Sequence, residues 1–178
     1  MIVVNLCGAP GAGKSTGAAY IFSQLKMKGI NCELITEFAK DKVWEGSRAA
    51  FENQLYLFAN QYFRMTRCEN KVDVIITDSP LLLSLIYNTD KERLGDDFNN
   101  LVINLFNSYN NLNYFINRVE PYNPDGRLHT EEESDKLSTQ IKSMFQSTAS
   151  LIKEVSGNIS GYDQIVSDVI KALEDIKL

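Results

Sequence analysis

The stretch Asn5-Leu-Cys-Gly-Ala-Pro-Gly-Ala-Gly-Lys-Ser-Thr16 decides the fold of this 178-residue chain. It contains Gly8, four further residues and then Gly13-Lys14-Ser15, which is the pattern of a phosphate-binding loop. Glycines at these two positions let the backbone turn sharply and come close to a polyphosphate. Consecutive N–H groups in such a loop form a cradle for anions, and the helix that follows adds its positive end. The predicted nucleotide-binding residues are Gly8, Ala9, Pro10, Gly11, Ala12, Gly13, Lys14, Ser15 and Thr16.

The residues on either side of this loop provide the context that the motif requires. Ile2–Leu6 is short and almost wholly apolar, as expected of a strand that is buried on both faces. The apolar residues after the loop recur at helical spacing: Ala18, Ile21, Phe22 and Leu25. Gly29 is expected to end that helix. A strand before the loop and a helix after it favour nucleotide binding over a plain glycine-rich turn.

Composition limits the class of protein. The formal net charge of −5 and the sequence pI of about 5.0 disfavour an extended nucleic-acid surface. No apolar run reaches the length of a membrane span, so no membrane association is expected. The three cysteines are widely spaced, which indicates buried thiols in a reducing, cytoplasmic location. We expect one domain over residues 1–178, and a Mg²⁺ ion that enters with a nucleotide.

Two carboxylates follow predicted strands. Glu37 comes directly after residues 31–36, and Asp78 comes directly after residues 72–77. In an open α/β sheet, ligands bind at the carboxyl ends of strands. Glu37 is therefore a candidate acceptor ligand or general base, with a helix-start carboxylate as the alternative. Asp78 has the character of a Walker B aspartate that would bind Mg²⁺ together with Ser15, although strand-end aspartates are also common in turns.

Three further side chains are candidate acceptor ligands. Trp44 lies in a predicted irregular connection, 41–46, where it either caps the core or stacks on the ring of an acceptor. A long helix is predicted over residues 47–69. Gln54 and Gln61 lie along one edge of its apolar stripe, where two amides can read a base or a carboxamide. The alternative for both glutamines is a solvated helix flank.

A long loop is predicted over residues 118–130. Its prolines and glycine exclude a regular helix, and Thr130 with Glu133 forms a capping box for the next helix. Long loops in compact domains are often lids, and this one has Arg118 at its start and Arg127 near its end. Guanidinium groups match phosphate oxygens, so both arginines are candidates for closing over the phosphates. The alternative is that both pair with nearby acids such as Glu120, Asp125 and Glu131.

Predicted strands and helices alternate along the whole chain, so we expect right-handed crossovers and a parallel sheet. With these motifs, the chain resembles a P-loop kinase of the nucleoside/nucleotide kinase group. More narrowly, it is similar to the nicotinamide-riboside-kinase domain of NadR-type proteins and to related ATP-binding proteins of bacterial viruses. The resemblance rests on the phosphate loop, on Glu37, on the helix with Gln54, on Thr77-Asp78-Ser79 and on the lid-like stretch 121–127.

This resemblance implies a fold and an activity. The fold is an α/β P-loop NTPase with three α/β/α layers and a five-stranded parallel sheet in the order 2-3-1-4-5. The activity is an ATP- and Mg²⁺-dependent kinase that acts on a small nucleoside- or nucleotide-like acceptor. The catalytic residues would be Lys14, Glu37, Asp78, Arg118 and Arg127. Ser79-Pro80 stands where deoxynucleoside kinases tend to have an arginine, and paired acceptor-domain arginines of the adenylate-kinase type are not apparent, so the acceptor stays unidentified.

The sequence is also compatible with two other functions. One is a kinase that phosphorylates a hydroxyl of a nucleic acid, including a modified DNA base, which requires a basic groove. The other is a nucleotide-dependent ATPase switch that binds a protein partner. An AAA-type ATPase would need arginine-finger and sensor elements, and the chain is short for them. The oligomeric state is also open, with a homodimer among the alternatives.

Overall fold

The computed structural model describes residues 1–88, 90–121 and 130–177. The strands are β1 (Ile2–Cys7), β2 (Cys32–Ile35), β3 (Val74–Thr77), β4 (Asn110–Asn117) and β5 (Lys153–Ser156). The helices are α1 (Lys14–Met27), α2 (Phe38–Trp44), α3 (Arg48–Phe51), α4 (Gln54–Thr66), α5 (Leu83–Tyr87), α6 (Lys91–Asn107), α7 (Glu131–Ser147) and α8 (Ile159–Lys177).

The five strands form one parallel sheet in the order β2-β3-β1-β4-β5. β1 is central, with Ile2 opposite Val74 of β3 on one side and opposite Asn110 of β4 on the other. The alternation of strands and helices had predicted a parallel sheet, and the resemblance had implied this strand order. Both expectations are confirmed.

Alternate residues of β1 point to opposite faces of the sheet and start two separate cores. Ile2, Val4 and Leu6 pack with residues of α1 and α8 on one face. Val3 and Cys7 pack with residues of α4, α5, α6 and α7 on the other face. The molecule therefore has the expected three α/β/α layers. Among the described residues, no helix combines the length and apolar character that crossing a membrane requires.

Two predicted segments differ from the structure. Residues 41–46, predicted as an irregular connection, belong mostly to α2, because no glycine or proline interrupts the chain before Gly46, which has a φ of +65°. The predicted helix 47–69 is wrong as a single element, since it is broken between α3 and α4. At the break, Asn53 is non-helical and its side chain accepts a hydrogen bond from the backbone N–H of Tyr56. Asparagine is a strong N-cap residue, so it starts a new helix here.

The carboxyl ends of all five strands lie at one edge of the sheet. The phosphate loop follows β1, Glu37 lies two residues after β2, and Asp78 follows β3 directly. Arg118 follows β4, and Gly157 follows β5. This is the edge at which open α/β sheets bind ligands. The fold thus brings together four predicted site regions that are far apart in the sequence.

Candidate active site

The phosphate loop connects β1 to α1 with positive φ angles at Gly8, Gly11 and Gly13, and the first and last of these are also closely packed. Gly8 has a φ of +148°, and a Cβ there would lie 2.8 Å from the carbonyl oxygen of Ile116 in β4. Gly13 has a φ of +91°, and a Cβ there would lie 2.5 Å from the Tyr162 hydroxyl. Positive φ is strained for residues with a side chain. The motif glycines are therefore required both by the backbone and by close packing.

Lys14 is the first residue of α1, and its side chain bends back over the loop. Its Nζ donates to the carbonyl oxygens of Gly8 at 2.8 Å and Ala9 at 3.0 Å. The ammonium group therefore lies above the loop backbone, at the start of a helix whose N–H groups carry partial positive charge. This arrangement concentrates positive charge where a polyphosphate would bind.

Ser15 and Asp78 form a pair of oxygen ligands beside the loop. The Ser15 hydroxyl donates to Oδ2 of Asp78 at 2.6 Å. Asp78 is only 5% exposed, and its Oδ1 has no hydrogen-bond partner among the described residues. A buried carboxylate oxygen without a partner is costly unless something else binds it. A hydroxyl and a carboxylate are ligands that Mg²⁺ accepts, so these two residues fit a magnesium ion that arrives with a nucleotide.

The Glu37 carboxyl interacts electrostatically with Asp78 of this pair. It is partly buried, and burial raises the pKa of its carboxyl group. Asp78 raises this pKa further, whereas Lys14 and Lys40 lower it. Tyr87, at the end of α5, is a further neighbour, because burial and the Glu37 carboxylate raise the pKa of its hydroxyl. Glu37 therefore shares one electrostatic environment with Lys14 and Asp78, as required of a base that acts next to the phosphates.

The three candidate acceptor ligands have different surroundings. Trp44 is 77% exposed at the end of α2, so it does not cap the core. Gln54 and Gln61 are both buried on α4, so neither lies on a solvated flank. Gln61 hydrogen-bonds within the protein: its Oε1 accepts from the backbone N–H of Phe38 at 2.8 Å, and its Nε2 donates to the carbonyl oxygen of Thr36 at 3.4 Å.

Arg118 lies at the carboxyl end of β4 and forms ion pairs with the first turns of α7. Its Nη2 donates to Glu131 at 3.1 Å and to Asp135 at 3.0 Å. The predicted capping box at the start of α7 is present, with Thr130 and Glu133 each bonded to the other's backbone N–H. Arg127 and most of the predicted lid lie in residues 122–129, outside the described residues.

Two contacts that the sequence did not predict hold the phosphate loop from distant parts of the chain. The Tyr162 hydroxyl of α8 donates to the carbonyl oxygen of Gly13 at 3.0 Å. The hydroxyl of Ser134, in α7 and fully buried, donates to the carbonyl oxygen of Pro10 at 3.0 Å. In the sequence, Tyr162 belongs to the apolar stripe of a helix and Ser134 to no motif. Because both contacts span more than 120 residues, only the tertiary fold reveals them.

The chain also contains Asn70-Lys71-Val72-Asp73, which has the Asn-Lys-x-Asp pattern that GTPases use to read guanine. These residues come just before β3, where Asp73 hydrogen-bonds to Ile2 and Asn31 at the amino ends of β1 and β2. The phosphate loop lies at the opposite edge, roughly 20 Å away for strands of this length. This motif therefore cannot contact the base of a nucleotide bound at the loop.

Comparison with known proteins gives one family and one fold. A family model described as "AAA domain" matches residues 3–160. No curated protein matches the chain. Among solved structures, the chain is similar to thymidylate kinase from Ehrlichia chaffeensis, with a TM-score of 0.59 and 14% sequence identity, over 97% of this chain and 98% of that one. At this identity, the likeness shows the shared fold.

Proposed function

Because the chain belongs to the AAA domain family and has the fold of a P-loop kinase, we propose that it is an ATP- and Mg²⁺-dependent phosphotransferase. It would transfer the γ-phosphate of ATP to a small nucleoside- or nucleotide-like acceptor. The observation that carries this proposal is the position of Lys14, the Ser15–Asp78 pair and Glu37 at one edge of the sheet. The finer resemblance to nicotinamide riboside kinases, and to ATP-binding proteins of bacterial viruses, favours a nucleoside acceptor.

Each of these residues has a separate task in the proposed reaction. The loop N–H groups and the Lys14 ammonium bind the phosphates, with Lys14 leaving the Gly8 and Ala9 carbonyls for phosphate oxygens. Ser15 and Asp78 would hold Mg²⁺, which would neutralise negative charge on the phosphates when bound. Glu37 accepts the proton of an acceptor hydroxyl as that oxygen bonds to the γ-phosphorus. The bond from phosphorus to the bridging oxygen breaks, and ADP leaves.

Arginine side chains would add charge stabilisation from the lid. We propose Arg127 and Arg118 for this task, since a suitably placed arginine is worth roughly 10³-fold or more in phosphoryl transfer. Arg118 would have to exchange its ion pairs with Glu131 and Asp135 for phosphate oxygens. Transfer rates of Arg127→Ala and Arg118→Ala test this part, and unchanged rates in both variants would remove the lid arginines from the mechanism.

The test of the function is an acceptor screen. Labelled ATP is incubated with the wild-type protein and with nucleosides, nucleotides and oligonucleotides. Lys14→Ala serves as the inactive variant, and Lys28→Ala, at the exposed end of α1, serves as its charge-matched control. We expect one acceptor class to be labelled by the wild type and by Lys28→Ala alone. ATP hydrolysis without labelling of any acceptor would instead indicate a nucleotide-dependent switch.

A polynucleotide acceptor is a second candidate, favoured by the segment 38–67. This segment has five Lys and Arg residues against three Asp and Glu residues, so it is net positive in an acidic chain. It also exposes four large aromatic side chains: Trp44, Phe51, Tyr56 and Phe63. Positive charge with exposed aromatic rings is the surface that single-stranded nucleic acids bind. Trp44 is seven residues along α2 from Glu37, about 10 Å away.

Trp44 itself offers the test, because it is the only tryptophan of the chain. Stacking of a base on its ring would quench the intrinsic fluorescence, and binding to phosphates would weaken steeply with salt. We expect quenching by a single-stranded oligonucleotide at low salt if the acceptor is a polynucleotide. Trp44→Phe provides the signal blank, and Leu151→Ala, an exposed apolar residue just before β5 and therefore at the amino-terminal edge of the sheet, is the binding control. An unquenched signal would count against the polynucleotide acceptor and favour the small acceptor over it.

A further inference from the structure

Gln61 hydrogen-bonds to the backbone on both sides of Glu37. The side chain is 6% exposed and reaches from α4 to the turn formed by Thr36, Glu37 and Phe38, here called the Glu37 turn. Its Oε1 accepts from Phe38 N at 2.8 Å, and its Nε2 donates to Thr36 O at 3.4 Å. One amide therefore bonds the residue before Glu37 and the residue after it.

Arg64, one helical turn further along α4, contacts the same turn. Its Nη1 donates to the Thr36 carbonyl at 3.3 Å, and its guanidinium lies 5.0 Å from the centre of the Phe38 ring. Arg64 also pairs with Asp41 of α2. The contacts from α4 thus fix the backbone of the Glu37 turn, and none of them involves the Glu37 carboxylate.

The position of Glu37 at the start of α2 explains why this support matters. Glu37 is the N-cap residue of α2, yet its side chain makes no capping hydrogen bond. The first N–H groups of a helix have no partner within the helix. Gln61 accepts one of these hydrogen bonds, from Phe38, the first residue of α2. The Glu37 carboxylate therefore does not have to cap α2, and it can interact with the charged groups around it.

We propose that Gln61 is a positioning residue that fixes the direction in which Glu37 projects toward the acceptor. This inference rests on the proposed function, in which Glu37 takes a proton from the acceptor. The groups that act on the Glu37 carboxylate are Lys14 from the phosphate loop, Asp78 from the end of β3, Lys40 from α2 and Tyr87 from α5. A turn that loses its hydrogen bonds to Gln61 lets the carboxylate move away from this group of charges and into solvent.

The variant that tests this is Gln61→Met, which keeps the length and burial of the side chain and removes both hydrogen bonds. We expect kcat for phosphoryl transfer to fall about 10- to 100-fold with little change in KM for ATP, because a displacement near 1 Å of a reacting group can cost about 100-fold. The acidic limb of the pH profile should shift to lower pH as Glu37 becomes more solvated. Asn60→Leu is the matched control, since within the described ranges this neighbouring amide bonds only to Tyr56 O of its own helix.

A double variant separates positioning from general stability. In a Glu37→Gln background, adding Gln61→Met should cause no further loss of transfer, because the group through which Gln61 acts is already absent. An equal loss in both backgrounds would overturn the proposal, as would an unchanged rate and pH profile in a folded Gln61→Met protein. If Gln61→Met does not fold, Gln61→Glu is the second variant, because it keeps an acceptor for the Phe38 N–H and replaces the donor to Thr36 by a carboxylate oxygen. We expect its transfer rate to lie between the wild-type rate and a loss of about 100-fold, and an unchanged rate would overturn the proposal.

Two measurements test Gln61 without any enzymatic activity. Hydrogen exchange at the Phe38 amide should be slow in the wild type and faster in Gln61→Met. Carboxyl NMR titration of Glu37 should show a lower pKa in the variant than in the wild type. If the wild type transfers phosphate to no acceptor but both signals change as expected, the proposed function fails and the structural role of Gln61 stands. If neither signal changes, the positioning role is wrong whatever the activity.

Discussion

The burial of one carboxylate, that of Glu37, predicts how the proposed reaction depends on pH. Burial raises the pKa of Glu37, and a general base must be ionised to accept a proton. We therefore expect kcat/KM for transfer to a hydroxyl to fall as the pH drops through a value above the ordinary glutamate range. Glu37→Gln should retain ATP binding, lower the transfer rate and lose this acidic limb. A limb that persists in Glu37→Gln would assign the titration to another group.

The raised pKa of Glu37 also predicts how stability depends on pH. Low pH is expected to lower the transfer rate but to favour the folded state. A carboxyl group with a raised folded-state pKa contributes stability at pH values below its unfolded pKa and loses it as the pH rises through the folded pKa. Wild-type unfolding free energy should thus fall, relative to that of Glu37→Gln, as the pH rises above about 4.5 through the raised value. Chemical denaturation of both proteins between pH 4 and 8 measures this difference. A constant difference would indicate that Glu37 is not desolvated.

Substitution of Asp78 is expected to change the Mg²⁺ requirement of transfer. Its Oδ1 has no partner among the described residues, and its Oδ2 accepts from Ser15. Asp78→Asn keeps the size of the side chain and removes its charge, so the Mg²⁺ concentration needed for half-maximal transfer should rise by about tenfold or more, as expected when a charged ligand to a cation is lost. Asp73→Asn, at the other end of β3, is the control. An unchanged Mg²⁺ requirement would contradict the assignment of Asp78 as a metal ligand.

At the level of elements, α8 supports the phosphate loop through one hydroxyl. Tyr162→Phe removes the hydrogen bond to Gly13 O. We expect the binding free energy of ATP to weaken by about 0.5–1.5 kcal/mol, which raises its Kd by about tenfold at most. Tyr20→Phe is a matched control, because the ring of Tyr20 lies 6.0 Å from that of Tyr162 and its hydroxyl bonds to exposed Asp163 instead. Equal ATP affinities in the two variants would show that the Gly13 contact does not organise the loop.

The elements also show what the sequence could and could not predict. β1, the phosphate loop and the cap of α7 followed from local patterns, because strand burial, glycine spacing and a capping box each involve neighbouring residues. The break at Asn53 was missed, because the apolar spacing of residues 47–69 fits one helix and the Asn53 cap decides otherwise. The roles of Gln61, Ser134 and Tyr162 depend on contacts between distant elements, and no local pattern contains them.

For the whole molecule, ATP should act as a stabilising ligand. A ligand that binds only the folded state adds about 2.7 kcal/mol at 100 times its Kd. For a chain of 178 residues, this corresponds to a rise in Tm of roughly 5–11 °C. Lys14→Ala should lose most of this shift while its Tm without nucleotide stays close to that of the wild type. An equal ATP-dependent shift in both proteins would place nucleotide binding away from the phosphate loop.

The strand order also affects how the chain folds during synthesis. β1 is made first, but its neighbours in the sheet are β3 and β4, and β4 ends at Asn117. At roughly 5–20 residues per second, a ribosome needs about 6–22 s to go from Cys7 to Asn117. Over that interval the apolar first strand lacks at least one of its two sheet neighbours, because β3 ends at Thr77 and β4 only at Asn117. Apolar surface left exposed in this way makes a nascent chain prone to aggregation. The phosphate loop follows β1 directly, so we expect it to reach its final conformation only after β4 has been synthesised.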